Sequence, residues 1–244
     1  MALPPIEALE EVDSTNAEAR RRAEAGARGP LWITAERQTA GRGRRGRSWE
    51  TGAGNLAATY LATTAKPAAE AAQISFVAAL AVADLAAAFV PASLVTLKWP
   101  NDPLIAGRKA AGILVESGPH PEGLWLAVGC GVNLATPPES PERPAVAFAE
   151  HMRSPPPKPI EALEVLAAAF ERWRDVWERL GFAPIAEAWT TRAHGLGETC
   201  TARLPNETVT GVAEGLDSDG ALRLRTAAGA VRRITAGDVF FGGA

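Results

Sequence analysis

The sequence predicts an α+β fold: a mixed domain over residues 1–196 carrying most of the core, then a small all-β module over residues 197–244. Three observations lead there. Before residue 196, strand-like runs are interspersed with long helical stretches, among them the amphipathic "PIEALEVLAAAFERWRDVWERL" (159–180). From Glu198 the chain changes to short alternating runs punctuated by Pro-Asn, Asp-Gly and Ala-Gly, which reads as an antiparallel sheet of about five strands. A length of 244 residues suffices for one large domain, or one large and one small.

The elements follow in order. Ser14 and Thr15 are cap-type residues ahead of a run of helix formers, which predicts a helix from near Thr15 to near Gly26. "LWITAE" (31–36) reads as a strand, the arginine-glycine stretch after it as a loop, and "NLAATYLA" (55–62) as the next strand. The alanine-rich 71–89 reads as a helix buried on one face. "LVTLKWPND" (94–102) reads as a strand running into a turn at Pro100-Asn101-Asp102. "KAAGILVES" and "LWLAVGCGVNLA" read as paired strands around "GPHPEG". Residues 136–159, rich in proline and polar side chains, read as a surface connection. Within 159–180, Leu163, Leu166, Phe170, Trp173 and Trp177 share one face, a stripe for core packing.

Composition narrows the function classes. A net charge of −3 argues against bulk nucleic-acid binding, so any anion site must be local. No run of 18 apolar residues occurs, and no membrane partner is expected. The acidic N-terminus lacks the pattern of a signal peptide. Cys130 and Cys200 make no disulfide framework, which points to a reducing cytoplasm.

Between Gly41 and Arg47 stand four arginines and three glycines. Read literally, Gly41 to Gly46 is G-x-G-x-x-G. A dinucleotide fingerprint needs a strand directly before it and a helix packing after it. Here polar "RQTA" precedes and "RSWETGAGN" follows, so that reading fails, and no G-x-x-x-x-G-K-[ST] loop occurs. Three readings remain: a solvated basic loop, a nucleic-acid patch, or a loop that closes over a phosphate-bearing ligand. In the last, glycine permits closure, arginine neutralises the ligand, and self-repulsion holds the loop open beforehand.

The ordered set "DSTN" (13–16), "GRGRRGRSW" (41–49), "KWPND" (98–102), "KAAGILVE" (109–116) and "GCGVNL" (129–134) resembles the catalytic core of biotin–protein ligases. The tail "GVAEGLDSDGALRLRTAAGAVRRITAGDV" looks like that family's C-terminal domain, so the resemblance covers nearly the whole chain. It implies a class II synthetase-like catalytic domain, with a mixed β-sheet and flanking helices, plus a small SH3-like β-barrel. The chain starts almost directly at the catalytic core, without the helix-turn-helix of the repressor-type members, so no DNA binding is expected. The implied reaction joins biotin and ATP into biotinyl-5′-AMP, then transfers biotin to a lysine of the biotin carboxyl carrier domain of acetyl-CoA carboxylase or a related carboxylase. Mg²⁺ is the implied cofactor. A lipoate or other acyl ligase on the same fold is the alternative, and the intact "GRGRRGRSW" favours biotin.

The resemblance also assigns residues. On the biotin side it implies Ser14, Thr15, Asn16, Gln38, Gly41, Arg42, Gly43, Arg44, Trp49, Lys109, Gly112, Gly129 and Gly131. For the nucleotide it implies Arg42, Arg44, Arg47, Lys98, Asn101, Asp102, Lys109 and Asn133, with Asp102 as the Mg²⁺ carboxylate. Lys109 and Arg44 are the implied catalytic pair, since two anions must meet and the adenylate must be shielded from water. Taken alone, Ser14 to Asn16 is equally a helix N-cap, "PND" an Asx-type turn, and Lys109 a solvated lysine. Cys130 has no evident histidine partner, and His120, His151 and His194 show no metal-ligand spacing.

Overall fold

The computed structural model describes residues 3–139 and 144–242; residues 140–143 of the proline-rich connection lie outside the described residues. In chain order the elements are β1 (Ile6–Val12), α1 (Thr15–Glu24), β2 (Leu31–Gln38), β3 (Leu56–Thr64), α2 (Ala68–Ala71), α3 (Ile74–Phe89), β4 (Val95–Lys98), β5 (Asp102–Ile105), β6 (Arg108–Lys109), β7 (Ala111–His120), β8 (Gly123–Val132), α4 (Pro159–Leu180), α5 (Ala183–Thr190), β9 (Thr199–Arg203), β10 (Thr208–Leu216), β11 (Leu222–Arg225), β12 (Val231–Ile234) and β13 (Asp238–Phe241).

The main sheet has the order β1-β2-β3-β8-β7. Its first pair is parallel, joined through α1, and the others are antiparallel. Period-two alternation divides its side chains between two layers. Trp32, Leu56, Ala58 and Tyr60 point to one face and pack against α3 and α4 in the large core. Ile33, Leu61 and Ala127 point to the other and meet Ala19 and Ala23 of α1. Trp32, Tyr60 and Phe170 stack with ring centroids 4.7–5.4 Å apart, contacts worth about 0.5–1.5 kcal/mol each beyond area burial.

Strands β4-β5-β6 form a separate meander whose two-residue turn, Ala106-Gly107, has positive φ at both positions, the geometry of a type I′ hairpin. The C-terminal strands form one antiparallel sheet in the order β12-β11-β10-β9-β13. Alternate residues of β10 are buried against the rest of the protein. No β12–β13 pairing closes this sheet into a barrel among the described residues. It docks on the larger part through Trp99, whose indole N–H donates to Gly220 O at 2.9 Å.

Several elements depart from the sequence reading. β1 is a largely exposed edge strand with only Ile6, Leu9 and Val12 turned inward, too sparse a pattern to read. The 71–89 helix breaks at Ala72-Gln73, and α3 is buried nearly all round, because sheet, α4 and α5 all cover it. The α2–α3 stretch is long and apolar enough to cross a membrane by composition, yet it is the central core helix here. Asp102 does not sit in the turn but opens β5. Within the proline-rich connection, Val146, Ala147 and Phe148 are fully buried, because the backbone of Lys109 pairs with this segment.

Candidate active site

The α1 face of the main sheet holds a cavity of about 460 Å³. Its floor follows from strand alternation. Across β3, β8 and β7 the paired residues Ala57, Gly131 and Gly112 form one row, and Thr59, Gly129 and Leu114 the next. The intervening Val132, Cys130, Ala111 and Ile113 point into the core. On the cavity side Gly112, Gly129 and Gly131 are therefore bare, while the other face of both strands is apolar. Cys130 is wholly buried, and burial pushes its thiol up to about 12, which makes it inert.

What fills the bare rows is specific. A Cβ at Gly131 would lie 2.3 Å from Nε1 of Trp49, and one at Gly112 would lie 2.6 Å from its Cζ3. These glycines make a slot for the Trp49 indole, not directly for a ligand as the resemblance implies. Gly129 likewise makes room for Asn16, whose Oδ1 would lie 2.2 Å from a Cβ there.

The first turn of α1 supplies the polar end. Ser14 sits at the N-cap position but makes no capping hydrogen bond; it is buried and lines the cavity. Thr15 N–H donates to Gln38 Oε1 at 2.9 Å, and Gln38 Nε2 donates to Thr51 Oγ1 at 3.1 Å. Gln38 thus braces the turn and also lines the cavity. Asn16 Nδ2 donates to Glu116 Oε2 at 2.8 Å, while its Oδ1 accepts from the Thr59 hydroxyl at 2.7 Å. Thr51 and Thr59 are members of this network outside the motifs, and Glu116 closes the "KAAGILVE" motif without having been assigned a role.

Cations gather at the opposite end. Arg42, Arg44, Arg47 and Lys109 all line the cavity. Lys109 is clamped by its backbone between Pro144 O and Val146 N, and its Nζ donates to Asp102 Oδ1 at 2.6 Å. Lys98 Nζ stands 3.6 Å from the other Asp102 oxygen. Lys98, Asn101 and Asp102 do not line this cavity; Lys98 borders a smaller one of about 210 Å³ that shares Lys109. Asn101 and Asn133 each have a buried Oδ1 with no hydrogen-bond partner among the described residues, and that of Asn133 belongs to a residue lining the main cavity.

This donor set does not fit a resident Mg²⁺ at Asp102. The carboxylate is buried and faces two ammonium groups, and no group of three or more His, Cys, Asp or Glu able to hold a metal is found among the described residues. Asp102 instead holds Lys109 in place. Burial alone would raise its carboxyl, but the Lys109 and Lys98 charges outweigh burial and hold it below the ordinary value. A depressed folded-state pKa means that the unfolded chain binds the extra proton. The resulting stability is present above about pH 4 and is lost as pH falls through the folded value. Asp102→Asn should therefore lower the urea midpoint at pH 7, and the gap to the parent should narrow below about pH 4. A gap independent of pH would remove the ion pairs as its cause.

The arginine loop is a small ribbon. Trp49 N–H donates to Gly41 O at 2.9 Å, Arg42 bridges Ser48, and Gly43 N–H donates to Arg47 O at 2.8 Å around a 3-10 turn at Arg44–Gly46. A Cβ at Gly41 would lie 2.3 Å from Trp49 O, so Gly41 serves this closure. The self-repelling open loop expected from sequence is not what forms, because the arginines find a carboxylate far along the chain, Asp238.

Two family models match the chain: that of the biotin/lipoate A/B protein ligase family over residues 9–133, and that of the biotin protein ligase C-terminal domain over residues 195–242. A biotin–[acetyl-CoA-carboxylase] ligase of Paracoccus denitrificans is 46% identical over 96% of this chain and 100% of its own length. The bifunctional ligase/repressor BirA of Bacillus subtilis is 31% identical over 86% of this chain, which spans 66% of that protein. Among solved structures, the biotin protein ligase of Aquifex aeolicus in complex with biotin and ATP superposes with a TM-score of 0.82, at 25% identity, over 98% of this chain and 99% of that one.

Proposed function

The chain belongs to the biotin/lipoate A/B protein ligase family, and we propose that within it this protein is the biotin–protein ligase of a biotin-dependent carboxylase. A biotin carboxylate oxygen attacks the α-phosphorus of ATP and displaces pyrophosphate, giving biotinyl-5′-AMP. The amine of a carrier-domain lysine then attacks the acyl carbon, forms the amide and releases AMP.

The observation that carries this reading is the polarity of one cavity. One end offers neutral hydroxyl and amide groups around Ser14 and Thr15, the middle is Trp49 over bare backbone, and the far end is cationic. A ureido ring on an apolar tail ending in a carboxylate has that same order of groups. Lys109 stands where carboxylate and α-phosphate must meet, and Arg42 and Arg44 cover them. The unpartnered Asn133 Oδ1 suits an amino group of the nucleotide base. A Mg²⁺ ion entering with ATP would add positive charge at the phosphates, beside the cations of Lys109, Arg42 and Arg44. A lipoyl ring brings no hydrogen-bonding group to the polar end of the cavity, where a ureido ring would.

ATP–pyrophosphate exchange should depend on biotin and not on lipoate, and labelled biotin should enter an apo carrier domain of acetyl-CoA carboxylase. Exchange driven by lipoate, or exchange without carrier labelling, would overturn the assignment.

A further inference from the structure

Asp238 opens β13 in the C-terminal sheet, about 190 residues from the arginine loop, yet it is bound to that loop by three guanidinium groups. Arg47 Nη2 lies 2.9 Å and Arg45 Nη1 3.2 Å from its Oδ2, and Arg44 Nη2 lies 3.7 Å from Oδ1. The carboxylate is buried, so it takes its partners from these guanidinium groups, which themselves stay partly exposed. The backbone is bent to the same end: Arg45 takes φ 59°, unusual for a side-chain-bearing residue, directly before Gly46 at φ 72°.

We propose that Asp238 is the positioning residue of the arginine loop. It anchors the ribbon chiefly through Arg45 and Arg47, with Arg44 a longer third contact. Arg45 serves the anchor alone and Arg42 faces the cavity alone, while Arg44 and Arg47 touch both. Arg47, which the resemblance places at the phosphates, is on this geometry an anchor as well as part of the cavity wall. The C-terminal sheet becomes part of the cover of the active site, which explains why a loop that should repel itself folds over the cavity.

The inference rests on the ligase reading for one of its two readouts. Asp238→Asn is nearly isosteric and removes the charge. Arg45→Asn removes one anchor at an exposed position, with a residue that tolerates positive φ. In either variant, ligand-free hydrogen exchange of residues 41–49 should rise roughly tenfold, the scale of one lost charge-assisted hydrogen bond. In a single turnover without carrier, free biotinyl-AMP should escape several-fold faster, while adenylate formation at saturating biotin and ATP falls far less, because Lys109 and Asp102 are untouched. Asp238→Glu should recover part of both effects. Unchanged exchange in both variants would overturn the anchor. So would a leak in Asp238→Asn that Arg45→Asn does not share, since that result assigns the defect to the C-terminal sheet itself. If the parent shows no biotin-dependent ATP–pyrophosphate exchange, the ligase reading fails, and hydrogen exchange alone still decides the anchor.

Discussion

Lys109→Gln should slow formation of biotinyl-AMP by ~10²–10³ while biotin binds almost as tightly as before. The geometry separates the two effects. Lys109 Nζ sits at the cationic end, fixed by a 2.6 Å contact with Asp102 and by backbone pairing on both sides of its peptide. It lines both cavities, so it is positioned to meet charge that develops between them. The groups proposed to hold the ureido ring lie at the other end and keep their own network through Gln38, Thr59 and Glu116. Glutamine is one bond shorter and keeps a hydrogen-bond donor, but it supplies no charge when two anions approach. Lys109→Arg should recover part of the rate, since it restores the cation. Quenched single-turnover kinetics give the adenylation step and calorimetry gives biotin affinity. A parent-like adenylation rate in Lys109→Gln would remove Lys109 from the chemistry.

How legible this site was depends on which interactions are local. The pairing of β7 with β8 could be read because two strand-like runs flank the short turn-forming "GPHPEG", and a hairpin is set by consecutive residues. The helix α4 could be read for the same reason, from a 3.6-residue period and a proline at its start. What local pattern does not encode is which groups satisfy each other across the fold. Ser14 occupies the cap position but its hydroxyl does not cap, and Gln38 lines the cavity while also bracing the turn. Asp102 looks like a metal carboxylate until two lysines are found on either side of β5. Asp238 carried no signal at all, because its role depends on how the C-terminal sheet docks. The burial of Val146 to Phe148 was hidden by flanking prolines, whose usual meaning is an exposed connection.

Gly131→Ala should cost roughly 10–100-fold in biotin affinity, although the substitution adds a single methyl group. The added carbon would stand 2.3 Å from Trp49 Nε1 and 2.4 Å from Cε2, closer than any packed contact allows. The strand cannot yield, since β8 is paired to β3 on one side and β7 on the other. The indole must therefore move, and it cannot move alone. Gly112 confines its far edge, and its backbone holds the base of the arginine ribbon through the bond to Gly41. Overpacking of this kind costs about 1–3 kcal/mol, and here it displaces the wall of the cavity. If the clash with Trp49 is the cause, the two positions are coupled. Trp49→Ala should weaken biotin by itself, and adding Gly131→Ala to it should cost little more, a departure from additivity of about 1 kcal/mol or greater. Calorimetry on the parent, both single variants and the double variant closes the cycle. Additive losses would mean that Gly131 is bare for the ligand itself and not for the indole.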